Sequence, residues 1–117
     1  QLDPGDGGWL GALKDPSLRE AIHLMHHTPA HPWTIDELAH ASGMSRSLFH
    51  QRFRETVGET PREYLTRWRM HVATRLLRDG RSVAATGRQV GYVTEAAFSN
   101  AFLRVMGIRP GAYRRAV

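Results

Sequence analysis

Between Thr34 and Gly58 the apolar residues recur twice with a helical period. Ile35, Leu38 and Ala39 form one stripe, and Leu48, Phe49, Arg52 and Phe53 lie on two adjoining rows of another. Ser42-Gly43-Met44-Ser45 stands between them. Gly43 suits the left-handed backbone that ends one helix, and Ser45 suits the cap of the next. Two short helices joined by a tight glycine turn predict a helix-turn-helix over about 34–57. Ala39 fits the steep crossing of such a pair, where a small side chain is needed.

The flanking pattern adds three elements. Asp15-Pro16-Ser17 opens a helix, with Pro in the first turn, Ser17 and Glu20 spaced as a capping box, and Leu18, Ala21, Ile22 and Met25 as its apolar stripe. Pro29 and His31-Pro32 end it; Trp33 is expected to pack, and Thr34 with Glu37 is a second capping box. Thr60-Pro61-Arg62-Glu63 starts a long helix over about 61–79, stopped by Gly80 and about 27 Å in length at ~1.5 Å per residue. Its apolar positions are Tyr64, Leu65, Trp68, Val72, Leu76 and Leu77, with Met70 and Ala73 flanking. Residues 1–14 are Gly-rich and read as a flexible tail or interdomain linker, with Trp9, Leu10 and Leu13 as candidates to dock on the body.

The first pattern then returns. Ser82 stands before Val83 as Thr34 stands before Ile35, an offset of 48, and Gly91 matches Gly43 at the same offset. Past the turn the offset is 49, pairing Thr94 with Ser45, Phe98 with Phe49, Phe102 with Phe53, Gly107 with Gly58, Pro110 with Pro61 and Tyr113 with Tyr64. Matches in phase, with one residue inserted in the turn, define an internal repeat. The prediction is an all-α domain over about 15–117, with about seven helices. Two helix-turn-helix units, about 34–57 and about 82–106, are joined by the long central helix. Leu48, Phe49, Phe53, Trp68, Phe98 and Phe102 are assigned to the core.

Composition narrows the function. At 117 residues the chain is one domain's worth. It has no cysteine, which excludes disulfides, thiolate nucleophiles and Cys-based zinc sites. No apolar run approaches the ~18 residues of a membrane span, and no signal-peptide pattern is present. The chain starts with Gln rather than Met, so a fragment of a longer protein is expected. The net charge of +5 is unevenly spread. Residues 1–44 hold two basic and six acidic residues, net −4, whereas 45–117 hold fourteen arginines and five acids, net +9. Guanidinium-rich chain fits a polyanionic partner, because Arg forks onto phosphate and guanine.

Together, charge and repeat point to double-stranded DNA. The second helix of the first unit turns Arg46, Ser47, His50, Gln51 and Arg54 outward. Ser47, His50 and Gln51 are expected at base edges, Arg46 at a base and Arg54 at phosphate. Its counterpart offers Glu95, Ala96, Ser99 and Asn100; Asn100 suits a bidentate contact to adenine and Glu95 a cytosine amine. Phosphate anchors are expected at the helix starts, at Ser45, Arg62 and Thr94, and at Arg109 and Arg114. Two readers on one chain, held near the ~34 Å between successive major grooves, would recognise two boxes in tandem.

His23, His26, His27 and His31 form the other cluster. His23 and His27 share a helix face, but with no Cys, no HExxH and no paired carboxylate the reading is a solvated face, with no metal, no cofactor and no enzyme expected. The alternative to DNA reading is a basic helical module that docks an acidic protein.

The chain resembles the DNA-binding domain of AraC/XylS-type transcription regulators over about residues 17–115. The resemblance rests on WTIDELAHASGMSRSLFHQRFRETVGETPREYL, on RWRMHVATRLL and on VGYVTEAAFSNAFLRVMGIRPGAYRR. It implies a seven-helix fold, binding to promoter DNA, contact with RNA polymerase, a bacterial cytoplasmic setting, and a sensor or dimerisation domain, cupin-like, elsewhere in the parent protein. By position it puts base contacts on Ser47, His50 and Gln51, and on Ala96, Ser99 and Asn100. The chain departs from the family pattern at Thr86 and Gly87, where an apolar residue and Ala are usual, and at Asn100 and Leu103, where basic residues are common. A glycine inside a helix costs about 1 kcal/mol against Ala.

Overall fold

The structure, a computed structural model, describes residues 15–117; the expectations for the tail fall outside the described residues. Within them the chain forms seven α-helices and no strand. These are α1 (Pro16–His27), α2 (Ile35–Ala41), α3 (Arg46–Val57), α4 (Pro61–Arg78), α5 (Val83–Gln89), α6 (Glu95–Met106) and α7 (Pro110–Ala116). They gather into two compact units. One runs to Thr28 and resumes over Trp33–Leu65; the other comprises Pro29–Pro32 and Thr66–Val117.

Local chemistry sets the helix starts. Asp15, not Ser17, caps α1: its Oδ1 accepts from the Ser17 amide at 3.0 Å and the Ser17 hydroxyl at 2.6 Å. Pro16 lacks an N–H and so takes the first helical position, which makes the residue before it the cap. The Ser17 hydroxyl, with help from the Ser17 amide and the charge of Arg52, holds the Asp15 carboxyl below its ordinary value. Thr34 with Glu37, and Thr60 with Glu63, close reciprocal capping boxes with bonds of 2.9 and 3.1 Å in each.

In the first unit α1 buries Leu18, Ala21, Ile22 and Met25 against Leu38 and Ala39 of α2, Phe49, Phe53 and Val57 of α3, and Tyr64 and Leu65 of α4. Trp33, Ile35 and Met44 pack at its edge, and the Trp33 indole donates to the Thr28 carbonyl at 2.9 Å. His26, in the cluster considered for metal, hydrogen-bonds the Tyr64 hydroxyl at 2.5 Å. Leu48 is not core: it is 42% exposed. Phe49 and Phe53, four apart, take the inward row, and Leu48 lies about 100° around the helix from Phe49.

The second core holds Met70, Ala73 and Leu77 of α4, Val90 after α5, and Phe98, Ala101 and Phe102 of α6. The expected stripe on α4 is therefore corrected. Met70 and Ala73 are fully buried, while Val72 and Leu76 pack at the edge and Trp68 is half-buried. One helix serves two cores, so no single stripe describes it.

The repeat extends further than the sequence pattern showed. Leu18, Ala21, Ile22 and Met25 of α1 correspond to Met70, Ala73, Thr74 and Leu77 of α4 at a constant offset of 52 (18 to 70, 25 to 77), and all eight are buried. The latter half of α4 thus does for the second core what α1 does for the first. The aromatic contacts repeat too, all tilted or edge-on: Phe49–Phe53 and Phe53–Tyr64 have centroids 5.7 Å apart, and Phe98–Phe102 and Phe102–Tyr113 lie at 5.7 and 5.6 Å. In both turns the glycine is left-handed (φ 68° at Gly43, 105° at Gly91). The next amide bonds back to the helix: Met44 to Ala39 at 3.0 Å and Tyr92 to Gly87 at 2.9 Å.

Arg69 was not anticipated. Its Nε donates to the Pro29 carbonyl at 2.7 Å and its Nη2 to the His31 carbonyl at 3.0 Å, with the guanidinium over the Tyr92 ring at 5.7 Å. Burial pushes this guanidinium below its ordinary value. The same segment crowds Gly91, where a Cβ would meet the Ala30 backbone at 3.0 Å.

Two departures in α5 carry stability. Thr86 is fully buried at the position matching Leu38, and its hydroxyl has no hydrogen-bond partner among the described residues. Thr86→Val is therefore expected to raise stability by about 1 kcal/mol, read as a higher melting temperature, because it removes an unsatisfied polar group; a lower one would show the hydroxyl to be satisfied. Gly87, at the position of Ala39, is not simply a weak helix former. A Cβ there would meet Cβ and Cγ of the fully buried Phe98 at 3.0 Å. Overpacking costs about 1–3 kcal/mol against a propensity gain of about 1. Gly87→Ala is expected to lower the melting temperature, and a rise would show that Phe98 yields.

Candidate nucleic-acid interface

Each unit presents one helix whose inner face is fixed and whose outer face is polar. Phe49, Phe53 and Val57 anchor α3; Phe98, Ala101 and Phe102 anchor α6. Ser45 and Thr94 cap them, accepting from the Leu48 amide at 3.2 Å and the Ala97 amide at 3.1 Å. Each hydroxyl keeps its proton for an outside acceptor, beside the free amides and positive dipole end of a twelve-residue helix.

In the first unit Arg46, Ser47, His50, Gln51 and Arg54 are all exposed on α3. Arg46, Ser47, His50 and Gln51 line an open groove of about 550 Å³ with Ile35 of α2 and Thr60, Pro61 and Arg62 at the start of α4. The structure thus brings Arg62 to the same concavity as the four expected base readers. Arg46 Nη1 stands 3.9 Å from Asp36 Oδ1, an exposed pair worth little in water and easily exchanged for a stronger partner. The Gln51 amide donates to Glu55 Oε2 at 3.3 Å, which leaves its carbonyl oxygen directed elsewhere.

The second unit differs at every charged place. At the repeat offset of 49, Arg46 becomes Glu95, Arg54 becomes Leu103 and Arg62 becomes Gly111, while Thr60 becomes Arg109. Glu95, Ala96 and Asn100 are exposed on α6, and Ser99 is half-buried. Arg109 Nη1 donates to Ser99 Oγ and to Asn100 Oδ1, both at 3.0 Å. That commits the acceptor an Asn–adenine pair would use and turns the Asn100 amide nitrogen outward. Arg109 provides no side-chain cap to α7, because a guanidinium has only donors and cannot accept from the helix amides; its side chain runs to α6.

Arg114, an expected phosphate anchor, also has partners within the fold. Its Nε and Nη2 donate to the carbonyls of Arg81 at 2.8 Å and Gly80 at 2.9 Å. Two of its donors hold the turn after α4. Sequence reading missed Arg69 as well as the Arg109–Ser99–Asn100 cluster. The signal for Arg109 was present: it breaks the repeat where the first unit has a capping Thr.

The fold and these two faces define a class, an all-α domain with two helix-turn-helix units. A family model described as a helix-turn-helix domain matches residues 38–116. The chain is 50% identical over 109 residues, 92% of its length, to a Streptomyces antibioticus protein named as an AraC-like transcription regulator. It spans 36% of that relative. Among solved structures it is similar to the DNA-binding domain of AdpA in complex with a target DNA, at 31% identity and a TM-score of 0.81, covering 86% of this chain and 91% of that one. It is also similar to an AraC-type regulator from Chromobacterium violaceum, at 28% identity and a TM-score of 0.81, covering 89% and 94%. The chain belongs to the AraC-type helix-turn-helix family.

Proposed function

We propose that the chain is the sequence-specific DNA-binding domain of a larger bacterial transcription regulator, with α3 and α6 reading two major-groove boxes in tandem. The observation that carries this reading is the repetition of the same device. Two capped helices, each fixed by a buried Phe pair, turn the corresponding residues outward at one register. The likeness to AdpA, whose DNA-binding domain is described with a target DNA, supports it.

In the first reader Arg46, Ser47, His50 and Gln51 contact bases, and Ser45, Arg54 and Arg62 contact phosphate. In the second, Glu95, Ala96, Ser99 and Asn100 line the base-facing side and Thr94 anchors a phosphate. The chain spans about a third of its relative's length, which leaves room in the parent for a sensor or dimerisation domain. RNA polymerase as a partner and a cytoplasmic location follow from the regulator reading, and the domain binds rather than catalyses.

Selection of bound duplexes from a random pool, at ~150 mM salt where sequence-blind electrostatic binding is weakened, tests this. Two enriched boxes in tandem are expected. One box alone would leave α6 a backbone anchor; no enrichment, with affinity that only falls with salt, would reduce the chain to a basic interaction module. On the selected site, Gln51→Ala should cost about 1–3 kcal/mol and relax preference at one position. An equal loss on every sequence would remove Gln51 from the base readers.

A further inference from the structure

Arg109 holds a place that the repeat does not explain. Its counterpart Thr60 closes a capping box, and around Thr60 the first unit keeps an open groove against α3. In the second unit the cap is given up and a long cation crosses from the start of α7 to the outer face of α6. The residues that receive it, Ser99 and Asn100, correspond to His50 and Gln51, two expected base readers of α3.

We infer that Arg109 is the specificity-determining residue of the second reader, braced by Ser99 and Asn100 to read a guanine. The inference rests on the DNA-binding reading above. Nη1 bonds both Ser99 Oγ and Asn100 Oδ1, so the plane of the guanidinium is fixed from two sides. No hydrogen bond among the described residues engages the opposite edge, Nε and Nη2. Those two nitrogens form a planar fork, and guanine offers O6 and N7 as a matching pair of acceptors in the major groove. Ordering this side chain before DNA arrives lowers the entropy lost on binding. The brace also sets Asn100: with Oδ1 engaged, its Nδ2 points outward as a donor. A phosphate anchor has no need of such a brace on the base-facing side of α6.

The experiment repeats the random-pool selection with the 117-residue chain carrying Arg109→Ala or Arg109→Lys, beside the wild type. Both variants are expected to lose one guanine preference in one box while keeping the other box. At that position, deazaguanine lacking N7 should weaken wild-type binding roughly tenfold and leave either variant nearly unaffected, the scale of a bidentate base contact. Lys is informative because it keeps the charge and loses the fork. Wild-type preferences restored by Lys, or equal weakening on all sequences in the Ala variant, would overturn the inference and return Arg109 to a phosphate. A wild-type pool without any enrichment is a separate failure, of the DNA reading itself, and would overturn the inference with it.

Discussion

The rotation of each reading helix about its own axis is fixed by two phenylalanines four residues apart. Phe49 with Phe53, and Phe98 with Phe102, are fully buried, and each pair packs onwards, ring edge or tilted face, against a tyrosine of the following helix. Displacing such a pair exposes two large aromatic surfaces, at about 1.5–3 kcal/mol each. The rest follows geometrically. With those positions inside, 47, 50 and 51 on α3, and 96 and 100 on α6, are left exposed, and Ser99 lies half-buried beside them. A small residue on the preceding helix, Ala39 or Gly87, allows the close crossing. At Gly87 the crossing is tight enough that a single methyl group would touch Phe98.

On this shared scaffold the two units have diverged in electrostatics. The first surrounds its groove with Arg46 and Arg62, and Arg54 lies further along α3. The second has exchanged those charges for Glu95, Gly111 and Leu103, and draws a guanidinium from outside the reading helix. The first half thus concentrates exposed guanidinium groups around its groove, while the second holds one guanidinium against Ser99 and Asn100. Guanidinium groups also serve structure here. Arg69 and Arg114 each satisfy two carbonyls at loop turns, so the excess of arginine is not all directed at a partner.

Much of this was legible in the sequence for a physical reason. Capping residues, turn glycines and Phe pairs at fixed spacing act locally, and they recur at offsets of 48 and 49. What escaped was partly a matter of competing local signals and partly non-local. The cap of α1 moved to Asp15 because proline's position outranks a Ser–Glu spacing. Leu48 is apolar but lies off the row that the phenylalanines fill, so apolar character alone does not place it. Met70 and Ala73 look like flanking positions in the sequence because a helix shared by two cores carries two overlapping patterns. Arg109, Arg114 and Arg69 act over 9 to 40 residues of sequence, distances at which periodicity carries no information.

The grip of Arg69 on Pro29 and His31 has a consequence for dissecting the molecule. The connection between α1 and α2 lies within the sequence span of the first unit yet belongs to the second. Compactness and chain continuity therefore disagree. A protease nick or a gene truncation between Leu65 and Thr66, the apparent border, would not yield two self-sufficient halves. The upstream fragment would keep a loop whose carbonyls had lost their guanidinium, and the downstream fragment would keep the guanidinium without its carbonyls.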